Sequence, residues 1–164
     1  MAETALLLLG GNKGQRLRRL RWAKRALAAL PGSRLLRRSR VYETAPVGPS
    51  RRPYLNAALA LRTSLSPMGL LVECKRLEAL AGRRAGRRWA ARPLDIDILA
   101  FGSRRLSGPW LTLPHRRLCQ RAFALAPLRD IAPSLRLPGG GTAASRLAVL
   151  KPPASSVRIF ADAL

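Results

Sequence analysis

The sequence predicts a single α+β domain over residues 1–164, a ferredoxin-like sandwich with helices on one face of a mostly antiparallel sheet. Two observations favour this fold. Stretches with strand periodicity and stretches with helical periodicity follow one another in the order β-α-β-β-α-β. The hydrophobic fraction of 48% is high enough for a packed core in a chain of 164 residues.

The first elements follow from apolar runs and turn residues. The run from Thr4 to Leu9 predicts a buried strand, which ends at the turn residues Gly10-Gly11-Asn12. Residues 15–30 place their leucines on one side at helical spacing and predict a helix. Residues 34–44 predict a strand. Residues 45–53 contain three prolines and a glycine, so we expect a loop there.

The second half continues the pattern. Residues 54–65 alternate between two faces and predict a strand. Ser66 followed by Pro67 is a strong helix start, because serine caps a helix and proline suits its first position. Residues 93–101 predict another strand, and residues 121–128 predict a short helix. Residues 139–164 are rich in Gly, Pro, Ala and Ser and give only weak signals.

Composition limits the class of protein. Lys and Arg number 31 against 8 Asp and Glu, a net charge of +23, which favours polyanions or nucleotide phosphates as partners. A coding bias toward arginine explains most of this charge equally well. The chain has two cysteines, Cys74 and Cys119, which lie far apart in the sequence, and a single histidine, so too few ligands are present for a structural zinc site. So few cysteines also argue against a disulfide framework and favour a reducing compartment. The N-terminal apolar run is too short for a signal peptide or membrane span, so we expect a cytoplasmic protein.

The acidic residues of the segment 92–99 suggest a metal site. Alternate residues of a strand project to the same side, so Asp95 and Asp97 share one face. Their carboxylates are hard oxygen ligands suited to Mg²⁺. Ile96 and Ile98 lie on the opposite face and can pack in the core. The alternative interpretation is a solvated strand face with two ordinary acids.

A group of arginines directly precedes these acids: Arg83, Arg84, Arg87, Arg88 and Arg92. Carboxylates that bind metal, beside several guanidiniums, are what phosphoryl transfer requires, because its catalysis consists mostly of positioning and charge stabilisation. The alternative is a basic surface loop without a ligand.

Further side chains suit a phosphate and a flat heterocycle. His115 and Arg121 can donate hydrogen bonds to phosphate, although a lone histidine is more often structural. Trp89 and Phe123 can stack on a heterocycle, or simply pack in the core. Asn56 carries both donors and an acceptor that can recognise a heterocycle edge.

These segments, in this order and spacing, resemble hydroxymethyldihydropterin pyrophosphokinase, an enzyme family of folate synthesis. The resemblance is strongest over residues 5–133. It rests on the segments 9–12, 41–48, 54–58, 88–99, 113–115 and 121–123.

The resemblance implies a ferredoxin-like αβα sandwich and a reaction in which ATP and 6-hydroxymethyl-7,8-dihydropterin give AMP and the pterin diphosphate. We expect the protein to be a monomer. It implies two Mg²⁺ ions bound with ATP by Asp95 and Asp97. The implied catalytic residues are Arg83, Arg92, Asp95 and Asp97. The implied ATP-binding residues are Glu78, Arg88, Arg92, Ile98, Leu111, Thr112, His115 and Arg121. The implied pterin-binding residues are Thr44, Ala45, Val47, Tyr54, Asn56, Trp89 and Phe123.

The chain departs from the family pattern at three places. Members often have Gly-Pro where this chain has Ala90-Ala91, a basic residue in place of Trp110, and an aromatic residue in place of Arg116. The last two bear on nucleotide affinity. Two other functions compete with the enzyme: an RNA-binding module that uses the sheet and the charge, and an inactive relative that retains the fold. The charge also favours non-specific binding of polyanions beside the enzymatic role.

Overall fold

The computed structural model describes residues 1–46, 52–82, 91–150 and 157–164. A short 3-10 turn, Leu118–Gln120, precedes the third helix. The strands and helices are, in chain order, β1 (Glu3–Gly11), α1 (Arg16–Ala28), β2 (Ser33–Arg38), β3 (Val41–Thr44), β4 (Tyr54–Thr63), α2 (Pro67–Leu80), β5 (Asp95–Phe101), β6 (Leu106–Ser107), β7 (Thr112–Leu113), α3 (Ala122–Ile131), α4 (Ala143–Val149) and β8 (Val157–Ala161).

The main sheet has the strand order β5-β1-β4-β3-β8, and β2 pairs with β4 beside β3. Every strand pairing among the described residues is antiparallel, which confirms the predicted sheet type. The strands β6 and β7 form a separate ribbon. Because β1 is central, its end at Gly10 and Gly11 lies between the starts of β4 and β5.

The prediction of one strand over residues 34–44 is wrong, because the chain leaves the regular pattern at Ser39. The strands β2 and β3 both pair with the same side of β4, at residues 59–63 and 54–56. Between them, the hydroxyl of Ser39 accepts the N–H of Ala58 at 2.8 Å, and the N–H of Ser39 donates to the carbonyl oxygen of Ala58 at 2.9 Å. A side-chain oxygen thus replaces a backbone acceptor, and the strand divides in two.

Helices pack on both faces of the sheet. Leu7 and Leu9 of β1 belong to a core with α1 and α2, whereas Leu6 and Leu8 belong to a second core with α3 and α4. The prediction of helices on one face is therefore wrong, and the αβα sandwich implied by the resemblance is confirmed. The physical reason is that β1 is apolar on both sides, as expected of a strand covered twice.

Local signals explain the boundaries of α2 and α4. The hydroxyl of Ser66 accepts the N–H of Gly69 at 3.0 Å, with Pro67 in the first turn, as the sequence predicts. Thr142 and Ser145 form a reciprocal capping box at the start of α4. Residues 139–164, for which the sequence predicted no element, therefore contain the helix α4 and the strand β8. Among the described residues, no helix combines the length and apolar character needed to span a bilayer.

Candidate active site

Strand β5 presents two acids to one side and two isoleucines to the other. Asp95 and Asp97 both line a cleft, with side chains about a quarter to a third exposed. Ile96 and Ile98 are buried in the core beneath α1 and α2. The expected alternation is confirmed, and it places both carboxylates on the same face as Leu8 of the neighbouring strand.

The cleft has a volume of about 420 Å³ and lies across the ends of β1, β3, β4 and β5. The carboxylates and guanidiniums form one part of its lining, and polar and aromatic side chains form the other. The residues that line it are Leu8, Gly10, Thr44, Tyr54, Asn56, Arg92, Asp95, Asp97, Arg117, Arg121 and Phe123.

Each acid of β5 lies near a guanidinium. Nη1 of Arg92 is 2.8 Å from Oδ2 of Asp95, and Nη1 of Arg121 is 3.8 Å from Oδ2 of Asp97. Burial raises the pKa of Asp97, and the negative charge of Asp95 raises it further, against the opposing effects of His115, Lys75 and Arg121. The two carboxylates repel each other, so a bound cation would favour their ionised forms.

His115 lies close to this acidic pair. The backbone N–H of His115 donates to the carbonyl oxygen of Leu99 at 2.8 Å. The ring Nδ1 of His115 accepts the backbone N–H of Arg117 at 3.2 Å. The neutral ring assigned from this bonding therefore carries its proton on Nε2, which makes that atom a donor. Burial lowers the pKa of His115, although the nearby Asp97 opposes this effect, so the ring is neutral at neutral pH.

Asn56 and Thr44 meet at the other part of the cleft. Nδ2 of Asn56 donates to Oγ1 of Thr44 at 2.9 Å, and both residues are buried. Gly10 lies opposite Asn56, and a Cβ atom there would be 2.9 Å from Oδ1 of Asn56. Glycine is therefore required at this position, because any larger residue would displace the amide. Burial also raises the pKa of Tyr54, which keeps its hydroxyl protonated.

Asn12 connects the segments that enter β4 and β5. Its Oδ1 accepts the N–H of Arg92 at 2.8 Å, its N–H donates to the carbonyl oxygen of Arg92 at 3.0 Å, and its Nδ2 donates to that of Arg52 at 3.4 Å. Gly11 allows the close approach, since a Cβ atom there would be 2.5 Å from the carbonyl oxygen of Pro93. The sequence predicted only a turn here; an asparagine after paired glycines was the available signal.

The family model for 7,8-dihydro-6-hydroxymethylpterin-pyrophosphokinase (HPPK) matches residues 6–133. The chain belongs to this family. It is 46% identical over 149 residues to the 2-amino-4-hydroxy-6-hydroxymethyldihydropteridine pyrophosphokinase of Methylorubrum extorquens, covering 90% of this chain and 94% of the relative. It is 40% identical over 141 residues to the enzyme of the same name from Pseudomonas aeruginosa, covering 85% and 87%.

Solved structures share the fold of this pyrophosphokinase chain. The A437G variant of Plasmodium falciparum HPPK-DHPS with pteroate matches 90% of the chain with a TM-score of 0.69 and 15% identity. An HPPK-DHPS in complex with substrates also matches 90%, with a TM-score of 0.71 and 14% identity. The chain spans 43% of the length of each of these proteins. At such identities the likeness supports the fold alone.

The pyrophosphokinase cleft brings together part of the pterin-binding set that the resemblance implies. Thr44, Tyr54, Asn56 and Phe123 line it. Ala45, next to Thr44, is exposed and does not line the cleft. Val47 and Trp89 lie outside the described residues.

The ATP-binding set is more dispersed. Arg92 and Arg121 line the cleft, and His115 lies beside Asp97. Ile98 and Leu111 pack with the core beneath α1 and α2. Thr112 is half-buried in β7. Arg88 of the ATP-binding set and Arg83 of the catalytic set lie outside the described residues. The roles of all these residues toward substrates stay predictions.

Glu78 is buried at the outer edge of β5. Its Oε1 accepts the N–H of Ile96 at 2.8 Å and lies 2.9 Å from Nζ of Lys75. Burial raises the pKa of Glu78, and these two contacts oppose the shift. This position supports the strand that carries Asp95 and Asp97. No local residue pattern predicts that contact, because it joins a helix to a distant strand edge.

Proposed function

We propose that this chain transfers a pyrophosphoryl group from Mg-ATP to 6-hydroxymethyl-7,8-dihydropterin, giving AMP and the pterin diphosphate. The observation that carries the proposal is that Asp95 and Asp97 face the same cleft as Arg121 and Asn56. One cleft thus combines acids and guanidiniums for a triphosphate with polar and aromatic groups for a heterocycle. Membership of the pyrophosphokinase family supports the same reaction.

The residues of β5 fit a magnesium site. Mg²⁺ is usually bound by one or two carboxylates, with substrate phosphates and water completing its coordination, and Asp95 and Asp97 supply two carboxylates. No group of three or more metal-ligating side chains occurs within the described ranges, which agrees with a site that the substrate completes. When bound, the ions would neutralise charge on the phosphate oxygens.

The guanidiniums of the cleft position the triphosphate. Arg92 and Arg121 lie beside the carboxylates of β5 and can donate to phosphate oxygens as well. The Arg121 guanidinium also lies 5.5 Å from the centroid of the Phe123 ring. Arg121 therefore joins the charged part of the cleft to the aromatic part, where a pterin would lie against the ring.

The polar side chains in the aromatic part of the cleft orient the pterin. Asn56 and Thr44 are bonded to each other and buried, so they present fixed donors and acceptors to a heterocycle edge. The pterin hydroxyl then attacks the β-phosphorus in line, the bond between that phosphorus and the oxygen bridging to the α-phosphate breaks, and AMP leaves with the electron pair. The hydroxyl proton is released, and no covalent enzyme intermediate is formed.

We infer that the enzyme acts as a monomer in the cytoplasm. The basis for the compartment is that both cysteines, Cys74 and Cys119, are free thiols, as expected in a reducing environment. Burial raises the pKa of Cys74 to about 12, so this thiol is unreactive at neutral pH. Gel filtration with light scattering tests the oligomeric state.

The test is an incubation with Mg-ATP and the pterin alcohol, followed by separation of the nucleotides. AMP as the product supports pyrophosphoryl transfer, whereas ADP would indicate ordinary kinase chemistry and overturn the proposal. Asp97→Ala should lower turnover on the order of 100-fold or more while the protein still folds. Asp162→Ala, which removes an exposed acid of β8's C-terminal flank, is the matched control and should retain full turnover.

A further inference from the structure

Arg117 lines the cleft, although neither its position in the sequence nor the resemblance gave it a role. Its backbone is held in a compact turn. The N–H of Arg117 donates to Nδ1 of His115, and the N–H of Leu118 donates to the carbonyl oxygen of His115 at 2.9 Å. Leu118 is buried, so the turn is fixed against the core on the α3 face.

Among the described residues, no acid pairs with Arg117. The two acids of the cleft already lie near Arg92 and Arg121, and Arg117 forms no ion pair among the residues that the structure describes. The described lining therefore has three guanidiniums and two carboxylates.

We propose that Arg117 binds phosphate oxygens of Mg-ATP at the rim of the cleft. This inference rests on the proposed function. A guanidinium prefers phosphate because its fork of donors matches two phosphate oxygens, and the uncharged pterin offers no comparable partner. The unbalanced charge makes a bound anion favourable at this rim, and a triphosphate supplies it.

The experiment compares Arg117→Gln with Arg117→Lys and Arg105→Gln. Arg105 is exposed at the opposite end of the sheet, where its neighbour Arg104 pairs with Glu3, so its removal changes net charge equally without touching the cleft. We expect Arg117→Gln to raise the KM for Mg-ATP about threefold to tenfold, as for one partly exposed charged contact. The KM for the pterin and kcat should stay within about twofold.

Arg117→Lys retains the charge without the planar fork, so its KM for Mg-ATP should lie between those of the wild type and Arg117→Gln. Equal KM values for Arg117→Gln and Arg105→Gln would overturn the inference. If the wild-type chain forms no AMP, the proposed reaction fails, and calorimetric titration with Mg-ATP tests Arg117 separately. Weaker binding by Arg117→Gln than by Arg105→Gln then supports the contact, and equal or absent binding refutes it.

Discussion

Asn12 and Arg92 are joined by two hydrogen bonds, in which each residue's backbone N–H donates to an oxygen of the other. Asn12 is only 1% exposed, so these bonds are shielded from water. Arg92 in turn pairs with Asp95. The end of β1 therefore positions the guanidinium that lies beside the first acid of the cleft.

Replacing Asn12 should reduce both stability and catalysis. Asn12→Ala leaves the N–H of Arg92 without its side-chain acceptor, and should lower the free energy of unfolding by about 2 kcal/mol. Asn12→Asp keeps an acceptor for the N–H of Arg92 but buries a carboxylate against the carbonyl oxygen of Arg52, so it should destabilise the fold as well. Urea unfolding and kcat/KM for Mg-ATP measure the two effects. Wild-type values for Asn12→Ala would contradict the positioning role.

Glu78 should stabilise the strand that carries the acids. Glu78→Ala removes the acceptor of the Ile96 N–H and should lower the free energy of unfolding by about 2–3 kcal/mol. Glu78→Gln retains an acceptor and should cost less. Glu73 lies on the same helix in an exposed pair with Arg76, so Glu73→Ala should change stability by no more than about 0.5 kcal/mol. Similar losses from both alanine variants would disprove the special role of Glu78.

Asp130 should make stability depend on acid pH. Burial alone would raise its pKa, but hydrogen bonds from Arg40 and Tyr42 outweigh burial and hold the pKa below its ordinary value. The stabilisation is therefore complete above the unfolded pKa of about 3.9 and is lost as pH falls through the lower folded value. Because Arg40 is partly exposed, Asp130→Asn should cost roughly 1–2 kcal/mol at neutral pH.

Thermal or urea unfolding across a pH series measures this dependence. The difference in stability between the wild type and Asp130→Asn should shrink as the pH falls from about 5 toward about 3. A difference that stays constant across that range would mean that the carboxylate charge of Asp130 does not contribute.

The basic surface formed by α1 and β2 should give salt-dependent polyanion binding. Burial lowers the pKa of Lys24, and the positive charges of Arg38 and Arg21 lower it further, so these groups lie close together. Single-stranded RNA should bind at low salt and dissociate steeply as salt is added. Arg21→Gln with Arg38→Gln should weaken binding more than Arg105→Gln with Arg136→Gln. Equal effects would assign the binding to net charge rather than to this surface.

Local patterns predicted three strands of the sheet well. The apolar run of β1 predicted a buried strand, and the alternation of residues in β4 and β5 predicted those strands and the shared face of Asp95 and Asp97. The capped start of α2 at Ser66 followed from a local rule as well.

Features that depend on distant neighbours were not predictable in this way. The break at Ser39 requires the backbone of Ala58, and the support from Glu78 requires the open edge of β5. Arg117 differs from its neighbours only in facing the cleft, which a basic sequence does not reveal. The second covered face of the sheet follows from the resemblance and not from the residue pattern, because the small side chains of Ala58 and Ala60 give little indication that α3 packs there.

The alternation in β5 has a consequence for how this stretch of chain can vary. Inserting or deleting one residue among positions 94–98 would exchange the two sides of the strand, burying carboxylates among leucines and turning isoleucines toward the cleft. Homologous chains that keep the activity should therefore conserve the length of this stretch more strictly than the identity of its apolar members, Ile96 and Ile98.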